Sequence, residues 1–177
     1  MLEDVPRGLA GLAIASVVAE LDYDDAKNLS KLFSIIGIPS DGAIVLATAI
    51  DNNPDSVDFD DQMLLGEVWM LARELNLAIG SFQLALDMKA SGELSLRIAQ
   101  LYFQWEKFEA ARNALQVAVQ NCGEEAPGNV YYLLAIIEIN LGNFVAASNA
   151  IARIEDDETY AERTRRLYQF IDISAQN

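Results

Sequence analysis

The sequence predicts an all-α fold built from stacked antiparallel helix pairs. A pattern of apolar and small residues at 65–85 returns at 98–118 and at 134–154. Each copy has two halves, and a small residue in the second half lies nine positions after the last residue of the first half. Between copies the distance varies, from 33 residues (78 to 111) to 36 residues (111 to 147). The paired positions are Trp69 and Ala78, Tyr102 and Ala111, and Glu138 and Ala147.

The constant interval has a physical cause. Two helices joined by a short turn cannot change register without disturbing their shared interface, because protein interiors are densely packed. Small residues at Ala78, Ala111 and Ala147 allow the two helices to approach closely. A loop between pairs lies on the surface and tolerates insertions, so its length can vary.

These patterns resemble the tetratricopeptide repeat (TPR). The resemblance implies a right-handed superhelix of antiparallel helix pairs, closed by a C-terminal capping helix. It also implies that the protein binds other polypeptides. The residues that carry it are Leu65-Gly66-x-x-Trp69 with Ala78-x-x-x-Phe82-x-x-Ala85, Ile98-Ala99-x-x-Tyr102 with Ala111-x-x-x-Leu115-x-x-Ala118, and Leu134-Ala135-x-x-Glu138 with Ala147-x-x-x-Ile151-x-x-Ile154.

The N-terminal part, 1–58, is predicted to hold a degenerate helical hairpin and one extra helix. Ala13 and Val17, followed nine positions later by Ala26, echo the repeat, which places the hairpin at about 5–21 and 24–36. The segment Gly37–Pro39 is expected to end it. An unpaired helix or irregular spacer is then expected at 41–58, because Ala26 to Ala78 is 52 residues, which fits no whole number of periods.

The rest of the chain divides into three repeats and a terminal helix, so that 1–177 forms a single α-helical repeat domain. The turns Ser91-Gly92 and Gly142-Asn143 and the linker at 123–128 separate the predicted helices. Arg163, Arg165 and Arg166 are expected on the solvated side of the last helix, since a repeat array needs a polar terminal face. The repeats are 59–91, 92–127 and 128–157, and the capping helix is 158–174.

Composition and charge exclude several classes of function. The net charge of −15 disfavours nucleic acid as a partner, because an acidic surface repels phosphate. The chain has no histidine and one cysteine, Cys122, and it carries no nucleotide-binding or nucleophile motif. We therefore expect no enzyme activity, no cofactor and no metal. The apolar run Gly8–Ala19 is too short to span a bilayer and lacks a basic leader, so we expect no membrane insertion.

The TPR resemblance also implies a binding surface. In that family the first helix of each repeat lines a concave groove that holds a partner peptide. An apolar groove with amide side chains suits an adaptable peptide surface without a charge requirement. The implied groove residues are Met63, Glu67, Met70, Leu96, Gln100, Phe103, Gln104, Tyr132, Ile136, Ile139 and Asn140.

A narrower resemblance rests on the short segments Ile36-Gly37-Ile38-Pro39, Ser91-Gly92-Glu93-Leu94 and Ala126-Pro127-Gly128-Asn129. These are similar to bacterial TPR proteins that accompany TonB-type energy transduction. The resemblance implies a periplasmic scaffold and a piece of a longer repeat array; without it, a cytoplasmic scaffold is expected. The alternative function is a chaperone for an exported or secreted protein. Homo-oligomerisation remains open.

Overall fold

A computed structural model describes residues 21–122 and 126–174. In this part of the chain every regular element is helical, which confirms the all-α, TPR-like fold class. A short 3-10 turn, Pro54–Ser56, interrupts the series. The α-helices are α1 (Tyr23–Ile35), α2 (Pro39–Asn52), α3 (Phe59–Leu71), α4 (Leu75–Met88), α5 (Gly92–Gln104), α6 (Phe108–Cys122), α7 (Gly128–Asn140), α8 (Phe144–Ala152) and α9 (Ala161–Ser174).

The chain forms two compact units, which divide after Lys89. In the first unit α1 packs on α2 and α3 packs on α4. In the second unit α5 packs on α6 and α7 packs on α8, while α9 contacts both α7 and α8. Each predicted repeat segment, 59–91, 92–127 and 128–157, therefore contains one packed helix pair. None of the helices in the described residues is long and apolar enough to cross a bilayer.

The turn inside each helix pair has the same backbone geometry in all four pairs. Among the described residues, positive φ angles occur at Gly37 (85°), Arg73 (63°), Glu106 (57°) and Gly142 (75°). Each of these residues directly follows the C-cap of the first helix, where a left-handed residue ends an α-helix. The four pairs therefore share one turn, even though only two of the four residues are glycine.

A backbone hydrogen bond closes each of these turns. The N–H of Glu74 donates to the carbonyl of Trp69 over 3.0 Å, and the N–H of Lys107 donates to that of Tyr102 over 2.9 Å. Such a bond satisfies a carbonyl that the helix end would otherwise leave without a partner. Because the turn and its hydrogen bond have a fixed length, the first residue of the next helix starts in a fixed register. This explains the nine-residue interval.

The N-terminal pair differs from the sequence-based expectation. Segment 41–58 was expected to hold an unpaired helix or a spacer, but α2 packs along α1 as the second helix of a pair. Gly37 ends α1 as expected and lies in the turn between the two helices. The interval from Phe33 to Gly42 is again nine residues, so this pair has the same spacing as the other three. The helix expected at 5–21 lies outside the described residues.

Close approach of the paired helices depends on small residues. A Cβ atom added to Gly66 on α3 would lie 2.4 Å from the ring of Phe82 on α4. A Cβ atom at Gly42 on α2 would lie 2.7 Å from the backbone oxygen of Ser30 on α1. Both distances are below van der Waals contact, so larger side chains would separate the helices. Ala78, which occupies the corresponding position in the second pair, is fully buried.

A buried carboxylate joins α1 to the start of α3. Asp61 is 4% exposed, and its Oδ2 atom accepts hydrogen bonds from the Tyr23 hydroxyl (2.8 Å) and the Asp58 N–H (3.2 Å). The Lys27 ammonium lies 3.2 Å from its Oδ1 atom. Burial opposes ionisation of Asp61, but these three donors outweigh burial and hold the pKa of Asp61 below its usual value of 3.8. Burial and the adjacent Asp61 raise the pKa of Tyr23.

The shared turn predicts that Gly142→Ala lowers the free energy of unfolding by about 1 kcal/mol, because an L-residue at this positive φ is strained. No atom lies within 4 Å of the added Cβ, so the loss would report backbone strain alone. Gly80→Ala, in the interior of α4 and also with open space, is the matched control and should raise stability by about 0.5–1 kcal/mol. Urea unfolding measures the change in the free energy of unfolding for both variants. Changes of the same sign would contradict the turn assignment.

The Asp61 contacts predict a pH-dependent contribution to stability. Because its pKa is lowered in the folded state, the contribution is fully present above about pH 4 and is lost as the pH falls through the folded pKa. Asp61→Asn should therefore lower the free energy of unfolding at pH 7 by about 1–3 kcal/mol, with a smaller difference from the wild type at pH 3. Asp87→Asn, at an exposed site, is the control. A difference that does not change with pH would contradict the assignment.

Candidate partner-binding surface

The first helices of the two repeats in the second unit, α5 and α7, share a hydrophobic cluster. Leu96 and Ala99 of α5 and Val130 and Ile137 of α7 belong to this cluster, together with residues of α6. Because α5 and α7 are anchored to the same cluster, the side chains on their remaining faces have fixed positions. Eight of the residues implied by the TPR resemblance lie on these two helices.

Three of those residues are exposed amides: Gln100 and Gln104 on α5 and Asn140 on α7. The Asn140 amide nitrogen donates to the carbonyl of Ile136 over 2.8 Å, which leaves its side-chain oxygen as an acceptor. Ile136 itself is half-buried. We call Gln100, Gln104, Ile136 and Asn140 the amide surface.

Tyr132 lies against the start of the last helix. Its ring centre is 5.6 Å from that of Tyr160, and the Arg163 guanidinium carbon lies 5.7 Å from its ring centre. A Cβ at Gly128 would lie 2.7 Å from the Tyr160 ring, so Tyr160 packs closely on the start of α7. Tyr132 remains half-buried. The chain therefore covers part of Tyr132 itself, and Arg163 places a positive charge beside it.

Three residues implied for the groove contribute instead to the protein core. Leu96 is 8% exposed and belongs to the cluster of α5, α6 and α7. Phe103 packs against the same cluster, with its ring centre 5.8 Å from that of Phe108. Ile139 packs against a second cluster, which includes residues of α7, α8 and α9. These side chains lie where a neighbouring helix meets the first helix, so Leu96 is not accessible to a partner.

In the first unit, the residues implied for the groove lie on α3. Met63, Glu67 and Met70 are all half-buried. Glu67 makes further contacts within the protein. Among the described residues, no three side chains of the types that bind metals come together as a metal site.

Comparison with solved structures supports the fold. A tetratricopeptide repeat protein from Parabacteroides merdae matches with a TM-score of 0.69 and 19% identity, over 85% of this chain and 59% of that chain. The MamA protein matches with a TM-score of 0.68 and 17% identity, over 84% of this chain and 80% of that one. Residues 41 to the end of MamA from Desulfovibrio magneticus match with a TM-score of 0.67 and 14% identity, over 87% and 85%.

The chain has the TPR fold. No protein-family model matches it, and no curated protein matches it in sequence. It spans less than two thirds of the Parabacteroides protein. The identities are low, so these proteins share a backbone arrangement with this chain, and its binding chemistry depends on its own residues.

One departure from the TPR pattern has a local explanation. Glu138 occupies the position where the preceding repeats have Trp69 and Tyr102, yet it is only 6% exposed. Its Oε2 atom accepts a hydrogen bond of 2.8 Å from the amide nitrogen of Asn143, in the turn of the same repeat. The carboxylate is therefore satisfied within its own repeat, as a buried polar group requires, which gives Glu138 a structural role.

The TPR fold also forms a pocket that the sequence analysis did not identify. This pocket of about 490 Å³ lies in the first unit, where the start of α2 meets the end of α3 and the start of α4. We call it the Trp69 pocket. The lining residues are Ser40, Asp41, Ile44, Trp69, Ala72, Glu74 and Leu77.

A smaller pocket occupies the equivalent place in the second unit. Its volume is about 360 Å³, and it lies at the start of α6 and the end of α7. Leu141, one of its lining residues, directly follows α7, as Ala72 directly follows α3. The smaller side chain of Ala72 is consistent with the larger volume of the Trp69 pocket. The other lining residues are Glu106, Lys107, Phe108, Glu109 and Ala110.

Proposed function

We propose that this protein is a non-catalytic scaffold that binds a segment of another polypeptide on the amide surface of α5 and α7. The observation that carries the proposal is the separation of roles on these first helices. Their inner residues, such as Leu96 and Ile137, form the core, whereas Gln100, Gln104 and Asn140 lie exposed. The outward amides are therefore available for a ligand and are not needed for folding.

The chemistry of the amide surface fits a peptide backbone. Glutamine and asparagine side chains both donate and accept hydrogen bonds, as peptide groups do, so they can pair with a backbone in either direction. The half-buried Ile136, whose carbonyl accepts a hydrogen bond from the Asn140 amide, supplies apolar area beside Asn140. None of these residues is charged, so binding here would depend on shape and hydrogen bonds more than on the charge of the partner.

Gln100, Gln104 and Asn140 allow a test that leaves the fold intact. Peptides selected from a random library against the wild-type protein should bind the triple variant Gln100→Ala, Gln104→Ala, Asn140→Ala at least about tenfold more weakly, because each lost hydrogen bond contributes about 0.5–1.5 kcal/mol. Isothermal titration calorimetry measures the affinities. Circular dichroism should show unchanged helix content, since all three residues are exposed.

The matched control is Asn113→Ala, Gln116→Ala, Gln120→Ala, which removes the same side-chain types from exposed positions of the second helix α6. This variant should bind the selected peptides as the wild type does. Loss of affinity in both triple variants, or in neither, would remove the amide surface as the binding site.

We further propose that the scaffold works in the bacterial periplasm beside a TonB-type energy transducer. This proposal is supported by short segments such as Ser91-Gly92-Glu93-Leu94, which resemble those of proteins that accompany such systems. In cell fractionation the protein should be released with periplasmic markers, and crosslinking should recover it with the transducer. Release with cytoplasmic markers alone would contradict this placement while leaving the scaffold proposal intact.

A further inference from the structure

The Trp69 pocket combines an aromatic wall with two carboxylates. Trp69 packs on the hydrophobic cluster of α2 and α3, which holds its ring in place. The backbone N–H of Glu74 donates to the carbonyl of Trp69 over 3.0 Å, so the turn fixes the position of Glu74 relative to the ring. Asp41 lines the same pocket from the first turn of α2. Ile44 and Leu77 complete the wall with apolar side chains.

The charge in this pocket is not balanced by the residues that line it. Asp41 and Glu74 are the charged lining residues, and neither has an ion pair or side-chain hydrogen bond in the described part of the chain. The pocket in the second unit differs, because Lys107 is one of its own lining residues. There, Glu109 is paired with Arg112.

The second unit also shows how a cation and an indole combine, in the turn between α5 and α6. The Lys107 ammonium lies 5.5 Å from the centre of the Trp105 ring, a cation–π distance. In one unit, the pocket at this place in the TPR fold therefore has its own lining cation. In the other unit it presents a tryptophan and two carboxylates without a lining cation.

We propose that the Trp69 pocket binds an arginine side chain of a partner polypeptide. This is a second interaction surface, formed by other residues and with other chemistry than the amide surface. A guanidinium group can stack flat on the indole while its N–H groups donate to carboxylates, a combination that lysine cannot match. The aliphatic part of the arginine would contact Ile44 and Leu77. The volume of about 490 Å³ lies within the range of small-ligand sites.

The test uses the full chain with Trp105→Phe, which leaves Trp69 as its only tryptophan. Titration with N-acetyl-arginine amide should change Trp69 fluorescence in a saturable way. N-acetyl-citrulline amide, which is neutral and similar in shape, should bind at least about tenfold more weakly. Higher ionic strength should weaken binding of the arginine derivative, since salt screens its attraction to the carboxylates.

Two charge variants in the same background localise the effect. Asp41→Asn with Glu74→Gln should lower the affinity for the arginine derivative about tenfold. Asp25→Asn with Asp87→Asn removes the same charge from exposed positions outside the pocket lining and should change the affinity less than about twofold. Circular dichroism should show both variants folded.

Several outcomes would overturn the proposal. One is the absence of a saturable change in Trp69 fluorescence when Asp41 and Glu74 are both present. The others are equal affinities for the arginine and citrulline derivatives, and equal effects of the two charge variants on the affinity. Equal affinity for N-acetyl-lysine amide would replace the arginine assignment with a simple point-charge site. Because the readout is Trp69 and the amide surface is intact in every variant, failure here would not affect the proposed peptide binding on α5 and α7.

Discussion

The turn inside each helix pair is the constraint on which the structure depends. A left-handed residue ends the first helix, and one backbone hydrogen bond reaches back five residues, as between Glu74 and Trp69. Once this turn has closed, the second helix begins at a fixed point and a small residue must face the first helix. Gly42 and Ala78 meet this requirement in the first unit. The turn tolerates Arg73 and Glu106 at a position suited to glycine, which shows that packing outweighs the local strain.

The same geometry separates structural residues from residues that are available to partners. The first helix α5 packs on its own partner α6 on one side and shares a hydrophobic cluster with the next first helix, α7, on another. Apolar side chains on either side become core, which is why Leu96 and Phe103 contribute to packing. The polar residues that remain, Gln100 and Gln104, are exposed. Binding chemistry on such a fold therefore resides in the few outward side chains, and these can change without affecting folding.

Three carboxylates of this acidic chain differ in the partners that compensate their charge. Asp61 is buried and surrounded by donors, including Tyr23 and Lys27, so its charge stabilises the contact between α1 and α3. Glu138 is buried with the Asn143 amide as its partner. Glu74 lies instead on an open pocket without an ion pair in the described residues. The first two carboxylates have structural partners, whereas the third leaves attraction for an external cation.

The sequence by itself determined the helical class and the nine-residue interval, because local register leaves a periodic trace in the chain. It also contained the interval from Phe33 to Gly42, but Ser30 and Gly42 differ from the common residues, so the pairing of α1 with α2 was not predicted. Only the tertiary structure decided that Leu96 is core and that Tyr160 covers part of Tyr132. It alone brought Asp41 and Trp69, 28 residues apart (41 to 69), into one pocket. Burial and pockets depend on which neighbouring helix arrives at each face, and no spacing along one helix records that.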